Sequence, residues 1–155
     1  LYGTPGVENA LKRIYHYAFA ENRYPGAPVI SFNPINGNPF DFEGMKVIPI
    51  KVKHAGMPVL GFRFGDLAYI TDAKQIEDEE LEKVKECKVV VLNALRKTEH
   101  HSHLNLEQAL RLMEIIKPQQ GYFTHISHLL GKHHEVEKEL PSNIHLAYDG
   151  LVVEG

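Results

Sequence analysis

Apolar and polar positions alternate in two distinct ways along this chain. Between Met45 and His54 the sequence "MKVIPIKVKH" sets Val47, Ile48, Ile50 and Val52 among Lys46, Lys51 and Lys53, close to the two-residue period of a half-buried strand. "PVLGFRFG" and "LAYITD" follow at short spacing, so three consecutive strands are expected to lie as antiparallel neighbours. Gly65-Asp66 is the expected turn between the last two.

Elsewhere the period lengthens. Val7, Leu11, Ile14, Tyr15 and Ala18 recur at helical spacing, which predicts a helix from Val7 to Ala20 started by Thr4-Pro5. "VISFNPI" reads as a short strand and "NGNPFDFEG" as a turn-rich link. "DEELEKVKEC" carries acids early and lysines late, the order the helix dipole favours. "KVVVLN" is a continuous apolar run, hence a buried strand. The helix "LEQALRLMEIIK" should end at Pro118. It is followed by the strand "GYFTH", a short helix "HHEVEKEL", and a hairpin of "IHLAYD" with "LVVE" across Asp149-Gly150. The first half is thus a β-meander and the second half alternates strand and helix.

The composition narrows the class. The chain has 155 residues, 43% hydrophobic and 24% charged, as a globular protein would. No apolar run approaches the ~20 residues of a membrane helix, and there is no secretory-type leader, so a cytoplasmic protein without membrane partners is expected. Net charge is -3 with Lys and Arg scattered, which gives no footprint for nucleic acid. The single cysteine, Cys87, excludes an internal disulfide and reads as a small buried hydrophobe. The opening "LYGTPG" looks like an entry in mid-strand, so residues 1–155 are expected to form one domain, incomplete at its N-terminal end.

The candidate chemistry lies at strand ends. His54, Asp72 and His125 each stand last in an expected strand or just beyond it, where α/β sheets place ligand sites. Two imidazoles and a carboxylate suit zinc, manganese or iron, and a carboxylate can bridge two ions. Each residue also has an ordinary structural role. Asp72 could cap the next helix, and either histidine could bond a neighbouring carbonyl. "EHHSHLN" adds His100, His101 and His103 in a loop before a helix. It could contact a phosphate or protonate a leaving group, or be a solvated loop whose His103 or Asn105 caps that helix. His128 could turn back toward the site, while His133 and His134 read as helix surface.

"VKHAGMPVLGFRFGDLAYITDAK", "LNALRKTEHHSHLNLEQAL", "YFTHISHLLGKH" and "LAYDGLVVE", in this order, resemble the metallo-β-lactamase superfamily, and within it the phosphoribosyl cyclic phosphodiesterase-like branch. The resemblance implies an αββα four-layer sandwich of α/β (α+β) class, of which this chain is the C-terminal half to two-thirds. It implies a metal-dependent hydrolase of phosphodiesters, with two divalent transition ions, zinc or manganese, in the complete enzyme. His54 would bind the first metal, Asp72 would bridge, and His125 would bind the second. His101 or His103 would face the substrate, with the spacing to Leu104 favouring His101. The superfamily motif H-x-H-x-D-H does not occur in these residues. The chain alone is therefore expected to hold a partial or empty site and to be inactive, with an apolar sheet face that a homodimer would cover. The alternatives are a hydrolase of another ester or thioester on the same fold, or a non-catalytic module that binds metal or pairs with a partner.

Overall fold

A computed structural model describes residues 1–153, which divide into two compact units, residues 1–38 and the residues from 39 onward. In the first, β1 (Tyr2–Gly3) pairs in parallel with β2 (Asn33–Pro34), and α1 (Pro5–Ile14) follows β1. Thr4 caps α1 as expected, its hydroxyl accepting from the Val7 amide at 3.5 Å, with Pro5 in the first turn. The single expected helix is broken at Tyr15 (φ -110°, ψ 41°), and α2 (His16–Phe19) is a separate turn.

The second unit is built on an eight-stranded sheet. It starts with β3 (Phe40–Phe42), which the turn-rich link concealed. The expected meander follows as β4 (Met45–His54), β5 (Met57–Phe64) and β6 (Leu67–Ile70), all antiparallel neighbours. β7 (Gln75–Ile76) pairs with β4. α3 (Asp78–Glu82) is much shorter than its charge pattern predicted. Its Glu80 carboxylate accepts from the Lys51 amide at 2.7 Å and from Lys83 Nζ at 2.6 Å, which ties the helix to β4. Then β8 (Val89–Asn93), α4 (Leu106–Ile116), β9 (Gln120–Thr124), α5 (His133–Val136) with a 3-10 turn (Glu137–Glu139), and β10 (Ile144–Leu146) complete the order.

β6, β8, β9 and β10 run parallel to one another. Their C-terminal ends therefore lie on one edge of the sheet. Among the described residues the expected closing hairpin does not form: β10 pairs with β9, and Leu151 folds back in a turn onto the Tyr148 carbonyl. Glu154, the last residue of the expected strand, lies outside the described residues.

The core sits on one sheet face. Ile50, Ile70, Leu92, Phe123 and Leu146 are buried in neighbouring strands. Against them lies the stripe of α4, Leu106, Ala109, Met113 and Ile116. Each fully buried large side chain contributes about 1.5–3 kcal/mol. Gly61 belongs to this row, and a Cβ there would stand 2.7 Å from Ile70 Cγ1, so close strand packing rather than turn geometry requires glycine. On the opposite face Phe62, Tyr69, Val91 and Tyr122 are in register and only partly buried, Tyr69 being 47% exposed.

Candidate metal and acid-base centre

Each strand-end candidate is presented by a specific local device. His54 is the last residue of β4, before a two-residue turn in which Ala55 (φ 49°) and Gly56 (φ 81°) both take left-handed conformations. That turn closes the β4–β5 hairpin at the His54–Met57 pair. Asp72 lies two residues beyond β6. The segment after it is clamped by fully buried Asn93, whose Oδ1 accepts from the Ala73 amide at 2.9 Å and whose Nδ2 donates to the Ala73 carbonyl at 3.0 Å. His125 follows β9 with φ 56°, a left-handed conformation uncommon for a non-glycine residue. On either side of it the Thr124 carbonyl accepts from Ala94 N, and Ser127 N donates to the Leu95 carbonyl.

The "HHSH" loop is anchored through its backbone. Leu104 N donates to the Ala73 carbonyl at 2.9 Å, and its carbonyl accepts from Leu95 N at 3.0 Å. Asn105 caps α4 in a reciprocal capping box with Gln108, so the capping role falls to Asn105 and not to His103. His103 is thereby inserted beside Asp72.

The four groups converge. His103 Nε2 is 3.5 Å and His125 Nε2 3.7 Å from Asp72 Oδ1. The His103 ring stacks on His125 at 4.6 Å between centroids and meets His54 edge-on at 4.5 Å. Ligating atoms of His54, Asp72 and His103 all lie within 4.8 Å of one another. His103 is only 8% exposed, and its Nε2 is buried with no hydrogen-bond partner. A buried polar atom left so is costly unless something fills the gap.

His101 takes a different position. It is exposed, with its ring against His100, whereas its neighbour His103 turns inward. The spacing argument that favoured His101 counted residues and took no account of the backbone anchor at Leu104. His128 is exposed. His133 bonds the Leu146 carbonyl at 3.2 Å and His134 lies on the surface beside Glu135.

Burial acts to raise the Asp72 carboxyl, but the Thr71 hydroxyl bond at 2.9 Å, His125 and His103 outweigh it and hold the group below the usual carboxylate range. His103 is pushed down from the ordinary imidazole value, first by burial and next by His125, with the Asp72 contact opposing. A carboxylate kept ionised beside an imidazole kept neutral belongs to the donor set a divalent ion requires. The residues present fit such a group, with the unpartnered His103 Nε2 facing the same space.

Sequence reasoning missed Asn93, Thr71 and Ser102. The first was legible as the polar residue closing an apolar strand. The other two are ordinary hydroxyls whose role depends on what they touch.

Comparison with known proteins gives the family and the fold. A family model described as a beta-lactamase superfamily domain matches residues 1–126. The chain is 35% identical over 153 residues to a Porphyromonas gingivalis protein named octanoyltransferase, covering 97% of this chain and 31% of that one. It is similar to the crystal structure of a diphosphatase from the PhnP family, with 34% identity and a TM-score of 0.88, covering 97% of this chain and 56% of that one. Zinc-bound PqqB from Methylobacterium extorquens shares the fold at 18% identity and a TM-score of 0.75, covering 99% of this chain and 64% of that chain. The chain thus spans about a third of the curated relative and about half of the diphosphatase.

Proposed function

This chain belongs to the beta-lactamase superfamily domain family and has the metallo-β-lactamase fold, and from that premise we propose that the protein containing it is a metal-dependent hydrolase of phosphodiester or diphosphate linkages. The observation that carries the reading is the convergence of His54, Asp72, His103 and His125 at one sheet edge, with His103 Nε2 buried and unpartnered. The similarity to a PhnP-family diphosphatase supports a phosphorus-centred reaction.

His54, Asp72 and His125 would hold the divalent ions, zinc or manganese. Bound ions supply Lewis acidity at the phosphoryl oxygens and lower the pKa of water. The chain's own residues do the remaining work. Thr71 holds one Asp72 oxygen and leaves Oδ1 to the cluster. Asn93 and the Leu104 anchor fix the separation of Asp72 and His103. His103, once it has taken up a proton at Nε2, would give that proton to a departing alkoxide or phosphate oxygen. Two ions need more protein ligands than these, so the segment alone should not form a competent dinuclear centre.

The test is turnover of bis(p-nitrophenyl) phosphate by the full-length protein reconstituted with zinc or manganese, beside the metal-stripped protein. Metal-dependent release of nitrophenol supports the reading. A second reading, acyl ester or thioester hydrolysis, is favoured by the acyl-transfer name of the P. gingivalis relative. A p-nitrophenyl octanoate assay separates the two: turnover there, with none on the phosphodiester, replaces the first reading with the second.

A further inference from the structure

The side of His103 that faces away from Asp72 is as closely arranged as the side that faces it. Ser102 Oγ lies 2.8 Å from His103 Nδ1 and 3.1 Å from His100 Nδ1. The Ser102 backbone N–H also donates to His100 Nδ1 at 3.3 Å. Ser102 itself is only 3% exposed. The metal-binding reading uses neither Ser102 nor His100.

The hydrogens can be placed by elimination. A backbone amide can only donate, so His100 Nδ1 is an acceptor and its ring proton is on Nε2. The Ser102 hydroxyl has one proton. Directed at His100 Nδ1, it meets a lone pair, and its own lone pair is then free to accept from His103 Nδ1–H, the shorter of the two contacts. Reversing the chain would set both the Ser102 oxygen and a bare His103 Nδ1, the latter 3.3 Å away, against the lone pair of His100 Nδ1, so that three acceptors would converge.

We propose that Ser102, oriented by His100, is a positioning residue that holds His103 as the Nδ1–H tautomer and directs its other nitrogen, Nε2, at Asp72. Nε2 is then the nitrogen left to meet an electrophile, whether a proton or a cation. This accounts for its burial without a partner beside a carboxylate oxygen 3.5 Å away. A hydrogen bond to one imidazole nitrogen decides what the other can do. Here a serine and a second histidine do what a carboxylate or backbone carbonyl does in other histidine sites.

The kinetic part of the proposal rests on reading His103 as the substrate-facing group; the tautomer does not. The experiment is ring-¹⁵N NMR of His103 in the full-length protein, wild type beside S102A and S102T, with kcat and KM measured on bis(p-nitrophenyl) phosphate. The wild type should show a protonated, pyrrole-type Nδ1. S102A should give a mixture of tautomers and lower kcat by about 10–100-fold, with KM within about twofold. S102T, which keeps the hydroxyl, should restore both. H100A should move the tautomer in the same direction as S102A. A bare Nδ1 in the wild type, or a His103 spectrum unchanged in S102A, overturns the proposal. A protein with no phosphodiesterase turnover overturns the proposed function, and the NMR result then decides this point by itself.

Discussion

Two segments of this molecule are crowded with histidine, and they use it differently. Residues 100–103 hold three imidazoles and residues 125–134 hold four. In each, one histidine reaches Asp72: His103 from the first and His125 from the second. The others face solvent, neighbouring rings or a backbone carbonyl. Imidazole density is therefore not what marks the site. His103 and His125 differ from their neighbours in being held by backbone constraint, the first by the Leu104 bonds to Ala73 and Leu95, the second by a left-handed residue between the bonds at Thr124 and Ser127.

Mutation should divide the histidines along that line. The largest effect belongs to the carboxylate both segments share. Asp72→Asn in the full-length protein should abolish turnover beyond the 10²–10⁴-fold ascribed to one acid-base group, and elemental analysis should show metal lost with it. His103→Ala should lower kcat by about 10²–10⁴-fold while keeping most of the metal. His101→Ala should stay within about twofold. Equal losses in the two variants would mean that the loop acts as a unit and that its internal contrast is unimportant.

Stability separates the supports from the ligands. Asn93→Ala removes the partners of the buried Ala73 amide and carbonyl and should destabilise by about 1–3 kcal/mol, read from the urea midpoint. A smaller shift follows from pH. His103 titrates below its unfolded value, so as pH falls the unfolded chain takes up its proton first. Metal-stripped protein should lose stability as pH drops below about 6.5, the ordinary imidazole value, and continue to lose it until the folded pKa is passed. His103→Ala should reduce that slope. Smallest of all, His134→Ala should leave activity and stability within experimental error, because its side chain is 70% exposed.

The two halves of the second unit also differ in how much pattern alone disclosed. The meander β4–β6 was legible almost to the residue, because alternation and tight turns are local properties. The helix α4 and its stop before Pro118 were legible for the same reason. The closing hairpin was not: "IHLAYD" and "LVVE" have strand composition around a good turn, but β10 finds its partner in β9, a choice made by the sheet and not by the turn. α3 fell short of its charge pattern because Glu80 is drawn to the β4 backbone, and the chain beyond it turns toward β8.

For the candidate site, sequence by itself determined the strand-end placement: His54, Asp72 and His125 stand where apolar runs stop. Only the tertiary structure placed His103, and not His101, beside Asp72. Both stand in one loop with identical chemistry, and the choice depends on which of them the Leu104 backbone bonds direct inward. Those partners, Ala73 and Leu95, lie 31 and 9 residues away in the chain. Asn93 gained its role in the same way, since its hydrogen bonds to Ala73, 20 residues away in the chain, exist only once β6 and β8 are in register.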